Sequence, residues 1–245
     1  VCVVGAGHGG SAAAAYLSLR GHSVSLLKTS SAIHNAHFEK ISETNRITFI
    51  RNGVTEIAEI DCVTRVFEEA MKDSEIVIIF VQTNFQEEIT ERLSGLLSNQ
   101  IVILEPGYLG TSYFLKKNDD RREVTYVEAQ SSPFNCRIIE PGIVKVNSEN
   151  VRNPVGVFPK EKKHKIFESL EELELKFVCL DSLFEAALHN PNLIVHTIGA
   201  FMSIPRIEYT NGEYWMYREV FTSTVWKLLE SLDNEKMNVM EKLGC

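Results

Sequence analysis

The amino-acid sequence predicts an α/β doubly wound sheet of the Rossmann type, followed by an all-helical second domain. Three observations carry this reading. A short apolar run ends in a glycine-rich turn that opens an alanine-rich helical stretch. Apolar runs then alternate with amphipathic stretches as far as Leu180, the pattern of βαβ units and a mainly parallel sheet. From Asp181 to Cys245 only helical spacing remains.

Taken in order, Val1–Val4 reads as the first strand, Ser11–Arg20 as a helix closed by Gly21-His22, and Ser23–Leu27 as the second strand. His34–Glu43 is polar and reads as a loop or short helix. Arg46–Ile50 and Val54–Ile60 read as a hairpin turned at Asn52-Gly53, a dipeptide suited to positive φ. Val63–Lys72 reads as a helix, with Val63, Val66, Phe67 and Ala70 on one face and Asp73-Ser74 as its stop. Glu75–Val81 is a strand, Gln86–Leu97 a helix, and Ile101–Leu104 a strand ending at Glu105-Pro106-Gly107. Val124–Ala129 is a strand, Pro141–Phe158 holds short strands, Glu161–Leu173 is helical, and Phe177–Leu180 is the last strand. Asp181-Ser182 caps a helix that begins at Leu183.

Composition narrows the function classes. Of 245 residues, 44% are apolar and 24% charged, as in ordinary globular proteins. The net charge of −8 argues against a nucleic-acid binder, and the one lysine-rich stretch, Lys160–Lys165, is broken by Glu161. The apolar run Ile76–Val81 is far too short to span a bilayer. Cys2, Cys62, Cys136, Cys179 and Cys245 show neither a C-x-x-C pair nor zinc spacing, so they read as reduced thiols of a cytoplasmic protein. His34 and His37 near Glu39 lack a third ligand at metal spacing, and no metal site is expected.

Gly5, Gly7 and Gly10, with His8 and Gly9 between them, spell G-x-G-x-x-G between a strand and a helix. In that setting the motif predicts a dinucleotide site. The first glycine allows the tight turn, the second lets backbone approach a pyrophosphate, and the third allows close helix–strand packing. The helix N-terminus then faces the phosphates. The second strand ends not in the acid expected for NAD but in Lys28-Thr29-Ser30. A cation and two hydroxyls suit a 2′-phosphate, so NADP is expected, with NAD the alternative. Val81, Gln82 and Thr83, at the carboxyl end of a central strand, are candidates to touch the ribose or nicotinamide, with plain strand-end capping by the two polar residues the alternative. Residues 1–180 are therefore read as a dinucleotide-binding domain and 181–245 as a helical substrate domain. That helical part is too short to cover its own apolar faces. A partner copy, giving a homodimer, or further chain beyond Cys245 is expected.

Several separated segments resemble the NAD/NADP octopine/nopaline (opine) dehydrogenase family. Glu105-Pro106-Gly107 before Gly110 is similar to its "PG…G" turn. Glu128 to Arg137 is similar to its "E-x-x-x-x-P-Y-x-x-R" stretch, with Phe134 for tyrosine. Asn190-Pro191-Asn192 to His196 resembles its "N-x-N-x-x-x-H", and Arg206-Ile207-Glu208, Tyr217-Arg218-Glu219, Leu232–Lys236 and Lys242–Gly244 are similar to motifs of its helical domain. The resemblance implies reductive condensation of an α-keto acid with the amino group of an amino acid, using NAD(P)H. It implies a histidine, here His196, paired with an aspartate expected beyond Cys245.

Residue chemistry bears on the same positions. Histidine suits proton transfer because it titrates near neutrality, although His196 on an apolar stretch also fits a core position. Asn192 lies one helical turn before it, on the same face, and either binds substrate or caps the helix. Arg137, Arg206 and Arg218 are candidates for substrate carboxylates, or for ion pairs such as those to Glu208 or Glu219. Two other functions stay open: a keto-acid reductase of the ketopantoate-reductase type, and a non-catalytic NADP(H)-binding sensor.

Overall fold

The computed structural model describes residues 1–117 and 123–245. The chain begins with β1 (Cys2–Val4), α1 (His8–Ser18), β2 (Ser25–Leu27) and α2 (Asn35–Thr44). A hairpin of β3 (Arg46–Arg51) and β4 (Val54–Glu59) precedes β5 (Cys62–Thr64) and α3 (Phe67–Met71). Then come β6 (Ile76–Ile79), α4 (Gln86–Ser94), β7 (Ile101–Leu104), α5 (Thr111–Lys117) and β8 (Thr125–Ala129). β9 (Phe134–Glu140), β10 (Ile143–Glu149), β11 (Asn153–Phe158), α6 (Lys163–Glu172) and β12 (Phe177–Cys179) complete the strands. Four helices follow: α7 (Leu183–Leu188), α8 (Asn192–Thr210), α9 (Met216–Glu219) and α10 (Ser223–Leu243).

The main sheet has eight strands in the order β12-β11-β8-β7-β6-β1-β2-β5, all parallel except the β11–β8 pair. From β1 the chain first builds outward through β2 and β5, then returns to β1's other edge and builds through β6, β7 and β8. The order reverses at β1/β6, which is where such sheets bind dinucleotides. Ile78, Ile103 and Val127 pack with α1 and α6 on one face, while Val77, Ile79, Val102 and Leu104 pack with α3, α4 and α5 on the other. Helices on both faces make the sheet doubly wound, as the sequence predicts.

A second sheet, β4-β3-β10-β9, covers the far side of α1. The sequence marks its hairpin but not its partners, because β3 pairs with β10 across a long stretch of chain. α1 is thus walled between two sheets. Ala12, Ala13, Ala14, Ala15 and Leu17 are fully buried, the signature of a helix with no water-facing side.

One segment differs from its sequence reading. The stretch from Val63 onward is not a single helix: Cys62–Thr64 pairs in parallel with Ser25–Leu27 as an edge strand, and only Phe67–Met71 is helical. Ladder bonding to β2 outweighs the helical spacing there. α5 follows Gly110 and was not foreseen, whereas α7 begins as expected, with the Ser182 hydroxyl accepting from the Glu185 N–H at 3.0 Å. Among the described residues no helix is long and apolar enough to cross a membrane.

Candidate active site

The glycine loop joins β1 to α1 at the switch point. Gly5 sits at φ 110°, donates to the Leu27 carbonyl at 2.8 Å, and has no room for a side chain: a Cβ would lie 2.3 Å from the Phe80 carbonyl oxygen. A Cβ on Gly10 would fall 1.7 Å from the Gly5 carbonyl oxygen. These two glycines let strand, loop and helix stack directly. Gly7 differs, because a Cβ there meets nothing nearer than the His34 ring at 3.8 Å. Gly7 is the N-cap of α1 and supplies no side-chain cap, so the first-turn N–H groups are not capped by a side chain. An anion is the natural partner of such groups.

His8 opens α1. Its Nδ1 accepts from the Ile138 N–H at 2.9 Å, so the remaining ring proton sits on Nε2. Burial, then the neighbouring His34 and Arg137, hold its pKa below the ordinary value. His34 packs edge-on at 4.6 Å between ring centroids. His37 is buried, accepts from the Gly142 N–H at 3.0 Å through Nδ1, and meets the Ser11 hydroxyl at 3.0 Å through Nε2. It is a neutral pin between α1, α2 and β10 rather than a ligand, and among the described residues no cluster suited to a metal is present.

Beyond β2, Lys28 is buried rather than exposed, and its ammonium donates to the Ile33 carbonyl at 2.5 Å. Burial and then Arg65 lower its pKa. Thr29 and Ser30 are half-buried beside it. Arg65, from the loop after β5, donates to the Ser30 carbonyl at 3.3 Å and to Asn35 Oδ1 at 3.3 Å. The reading of that segment as one helix hid Arg65; the signal for it is the strand-like Cys62-Val63-Thr64 that sets β5 beside β2. Lys28 and Arg65 make this end of the sheet cationic, and burial, then Lys28, lowers the pKa of the neighbouring His34.

Val81, Gln82 and Thr83 follow β6 on the other side of the switch point, with Val81 half-buried and the other two exposed. Glu105 follows β7 and is fully buried, with both carboxylate oxygens lacking a hydrogen-bond partner, and burial raises its pKa well above the carboxylate range. Glu128 of β8 is also buried but accepts from the Leu109 and Thr111 N–H groups, at 3.1 and 2.8 Å, at the head of α5.

The helical part is tied to these strand ends by Asn190. Its amide donates to the Tyr108 hydroxyl at 2.8 Å and to the Gln130 carbonyl, while its Oδ1 accepts from the Asn192 N–H at 2.9 Å. Gln130 returns a bond to the His189 carbonyl at 3.0 Å. α8 therefore starts against the loops after β7 and β8. Asn192 is exposed in its first turn, and His196 lies one turn further along, half-buried. His196 Nε2 is hydrogen-bonded to the Tyr217 hydroxyl. That partner was not foreseen in this role, since nothing local pairs residues 21 positions apart.

The arginines separate. Arg206 is ion-paired to Glu219 at 3.0 Å, and Arg218 lies over the Trp215 ring at 5.8 Å. Arg137 donates to its own neighbour's carbonyl, that of Cys136, at 2.7 Å, and its charge reaches His8. The structure thus puts Arg137 near the glycine loop and holds Arg206 against α9, the short helix that also carries Tyr217 and Arg218. Two cavities, of about 470 and 590 Å³, lie at the opposite, amino end of the sheet, around Tyr16 and Arg20 and around Glu75 and Gln100.

Residues 1–108 match the model of the NAD-dependent glycerol-3-phosphate dehydrogenase N-terminus. Residues 179–245 match that of the NAD/NADP octopine/nopaline dehydrogenase alpha-helical domain. An opine dehydrogenase of Arthrobacter sp. (strain 1C) is 27% identical over 97% of the chain and 66% of its own length. Octopine dehydrogenase with NADH and L-arginine superposes with a TM-score of 0.75 at 17% identity, over 100% of this chain and 64% of that one. Yersinopine dehydrogenase gives 0.78 at 15% identity, over 98% of this chain and 63% of that one. The chain thus spans about two thirds of the length of these relatives. The helical part thus matches the octopine/nopaline dehydrogenase helical-domain model, and the alignment to the opine dehydrogenase runs over nearly the whole chain.

Proposed function

We propose that the protein is an NAD(P)H-dependent opine-type dehydrogenase, condensing an α-keto acid reductively with the amino group of an amino acid. Residues 1–180 bind the dinucleotide and 181–245 contribute to the substrate side. The observation that carries the reading is the pairing of an uncapped, glycine-lined helix N-terminus with His196, on a helix anchored to the same strand ends. The residues fit the cofactor: Gly5, Gly7, Gly9, Gly10 and His8 line its pyrophosphate, and Val81, Gln82 and Thr83 flank its second half. When bound, the dinucleotide supplies the hydride.

Lys28, Thr29, Ser30 and Arg65 favour NADP over NAD. A guanidinium beside the ribose suits a 2′-phosphate, and there is no acid to hold a 2′-hydroxyl. His196 holds and delivers the proton at the substrate carbonyl or imine, with Tyr217 orienting its Nε2. Asn192 hydrogen-bonds substrate from the same face of α8. Arg206 and Arg218 answer substrate carboxylates near Tyr217, and Arg137 does so from the glycine-loop side. The five free cysteines fit a cytoplasmic protein.

The test is oxidation of NADPH and NADH by the full-length protein with α-keto acids, with and without amino acids. Turnover that needs the amine and falls roughly a hundredfold or more in His196→Ala supports the reading. Turnover without amine makes the protein a keto-acid reductase, and tight binding with no turnover on any pair makes it a sensor.

A further inference from the structure

Among the described residues, Glu105 is the buried acid that the site leaves without explanation. It is 2% exposed, and neither carboxylate oxygen has a hydrogen-bond partner. An unpartnered buried polar group costs a few kcal/mol, so such a group calls for a ligand or a reason. Its neighbour Glu128 shows the contrast, because both of its oxygens are consumed by the backbone of the α5 head.

The position of Glu105 limits what that ligand is. Its N–H donates to the Ile79 carbonyl at 2.9 Å, so it extends the β7 ladder by one residue and lies beside Phe80. Alternation along β7 puts it with Ile103 on the α1 face, the face on which the Phe80 ring comes within 2.9 Å of a Cβ built on Gly9. Glu105 thus stands one strand from the glycine loop, at the carboxyl end of the β6–β7–β8 half of the sheet. In a sheet of two mononucleotide-binding halves, the β1–β2–β5 half takes the adenosine and this half takes the nicotinamide.

The geometry points to the Glu105 carboxyl as the group that recognises the carboxamide of the nicotinamide ring. Burial without a cation favours the neutral acid of this side chain. A neutral carboxyl offers one O–H donor and one C=O acceptor side by side. That is the complement of a primary amide, which offers a carbonyl and an N–H in the same spacing. The inference rests on the dinucleotide reading above and assigns one residue to the ring end of the cofactor.

The test is equilibrium binding to the full-length protein, using NADPH and NADH and their ringless counterparts, 2′-phospho-ADP-ribose and ADP-ribose. Two lost hydrogen bonds correspond to about tenfold or more in affinity. Glu105→Met is expected to weaken the reduced dinucleotide by that factor and to leave the ringless ligand unchanged. Glu105→Gln, which keeps a donor and an acceptor, is expected to bind like the wild type. Equal loss for both ligands in Glu105→Met, no loss for either, or a dinucleotide-selective loss in Glu105→Gln overturns the assignment. Should Glu105→Met not fold, the wild type decides: it is expected to prefer the dinucleotide about tenfold over its 3-acetylpyridine analogue, and equal affinity refutes the proposal. A wild type that binds none of these ligands refutes the dinucleotide reading and this inference together.

Discussion

The side-chain amide of Asn190 donates to the Tyr108 hydroxyl across 2.8 Å, with Asn190 only 2% exposed. This contact joins the loop after β7 to the first turn of α8, and so sets where His196 stands relative to the sheet. Asn190→Ala leaves the Asn192 N–H and the Gln130 carbonyl without their partner. The expected cost is about 1–3 kcal/mol in urea unfolding, together with a loss of turnover larger than the loss of dinucleotide affinity. Equal losses of both would show that the contact does not place His196.

The glycine loop separates folding from binding. Gly10→Ala puts a methyl 1.7 Å from a backbone oxygen, and neither strand nor helix can yield cheaply. It is expected to cost on the order of 3 kcal/mol or more and to lower the yield of folded protein. Gly7→Ala meets only the His34 ring at 3.8 Å. It should melt within a few degrees of the wild type yet bind NADPH at least roughly tenfold more weakly, because its methyl occupies the ligand's approach. Thermal melts with and without NADPH check both.

Arg65→Ala removes a cation that donates to Ser30 and Asn35 and lies over the Phe38 ring at 4.7 Å. NADPH affinity should fall by roughly tenfold, with NADH affinity little changed, and the NADPH effect should shrink as salt is raised. Equal affinities for NADPH in wild type and variant would remove Arg65 from the proposed 2′-phosphate contact.

His37 gives a pH signature. Burial lowers its pKa from 6.5 to about 4, against a hydrogen bond to the Glu140 backbone and with help from His34, His8 and Lys28. Between pH 6.5 and 4 the unfolded chain takes up a proton that the folded chain refuses. Stability therefore falls as pH drops through that window and levels off below it. The urea midpoint of the wild type should drop more steeply from pH 7 toward pH 4 than that of His37→Gln. Parallel curves would mean that His37 does not titrate in this way.

What was legible in the sequence was local. The glycine turn, the alanine-rich helix after it and the hairpin at Asn52-Gly53 each declare themselves within a few residues, and the structure has all three. Helix-like spacing at Val63, Val66 and Ala70 misled, because pairing with β2 decides the state of Cys62–Thr64 and no short window contains that partner. For the same reason Arg65 was missed. Asn190 stood inside a quoted motif, but its partners Tyr108 and Gln130 are 82 and 60 residues away. Glu105 was visible as a strand-ending acid, yet its lack of partners is a property of packing alone.

The walled position of α1 has one more consequence. Ile138 of β9 donates its N–H to His8, whose own N–H groups open the helix, so a single amide on the outer sheet is wired to the glycine loop. Any ligand that steadies the head of α1 must also slow the opening of β9 and β10, since the two share one packed layer. Hydrogen exchange at Ile138 and its neighbours is therefore expected to slow when the dinucleotide binds. The small sheet would then act as a remote reporter of occupancy, although no strand of it needs to touch the ligand.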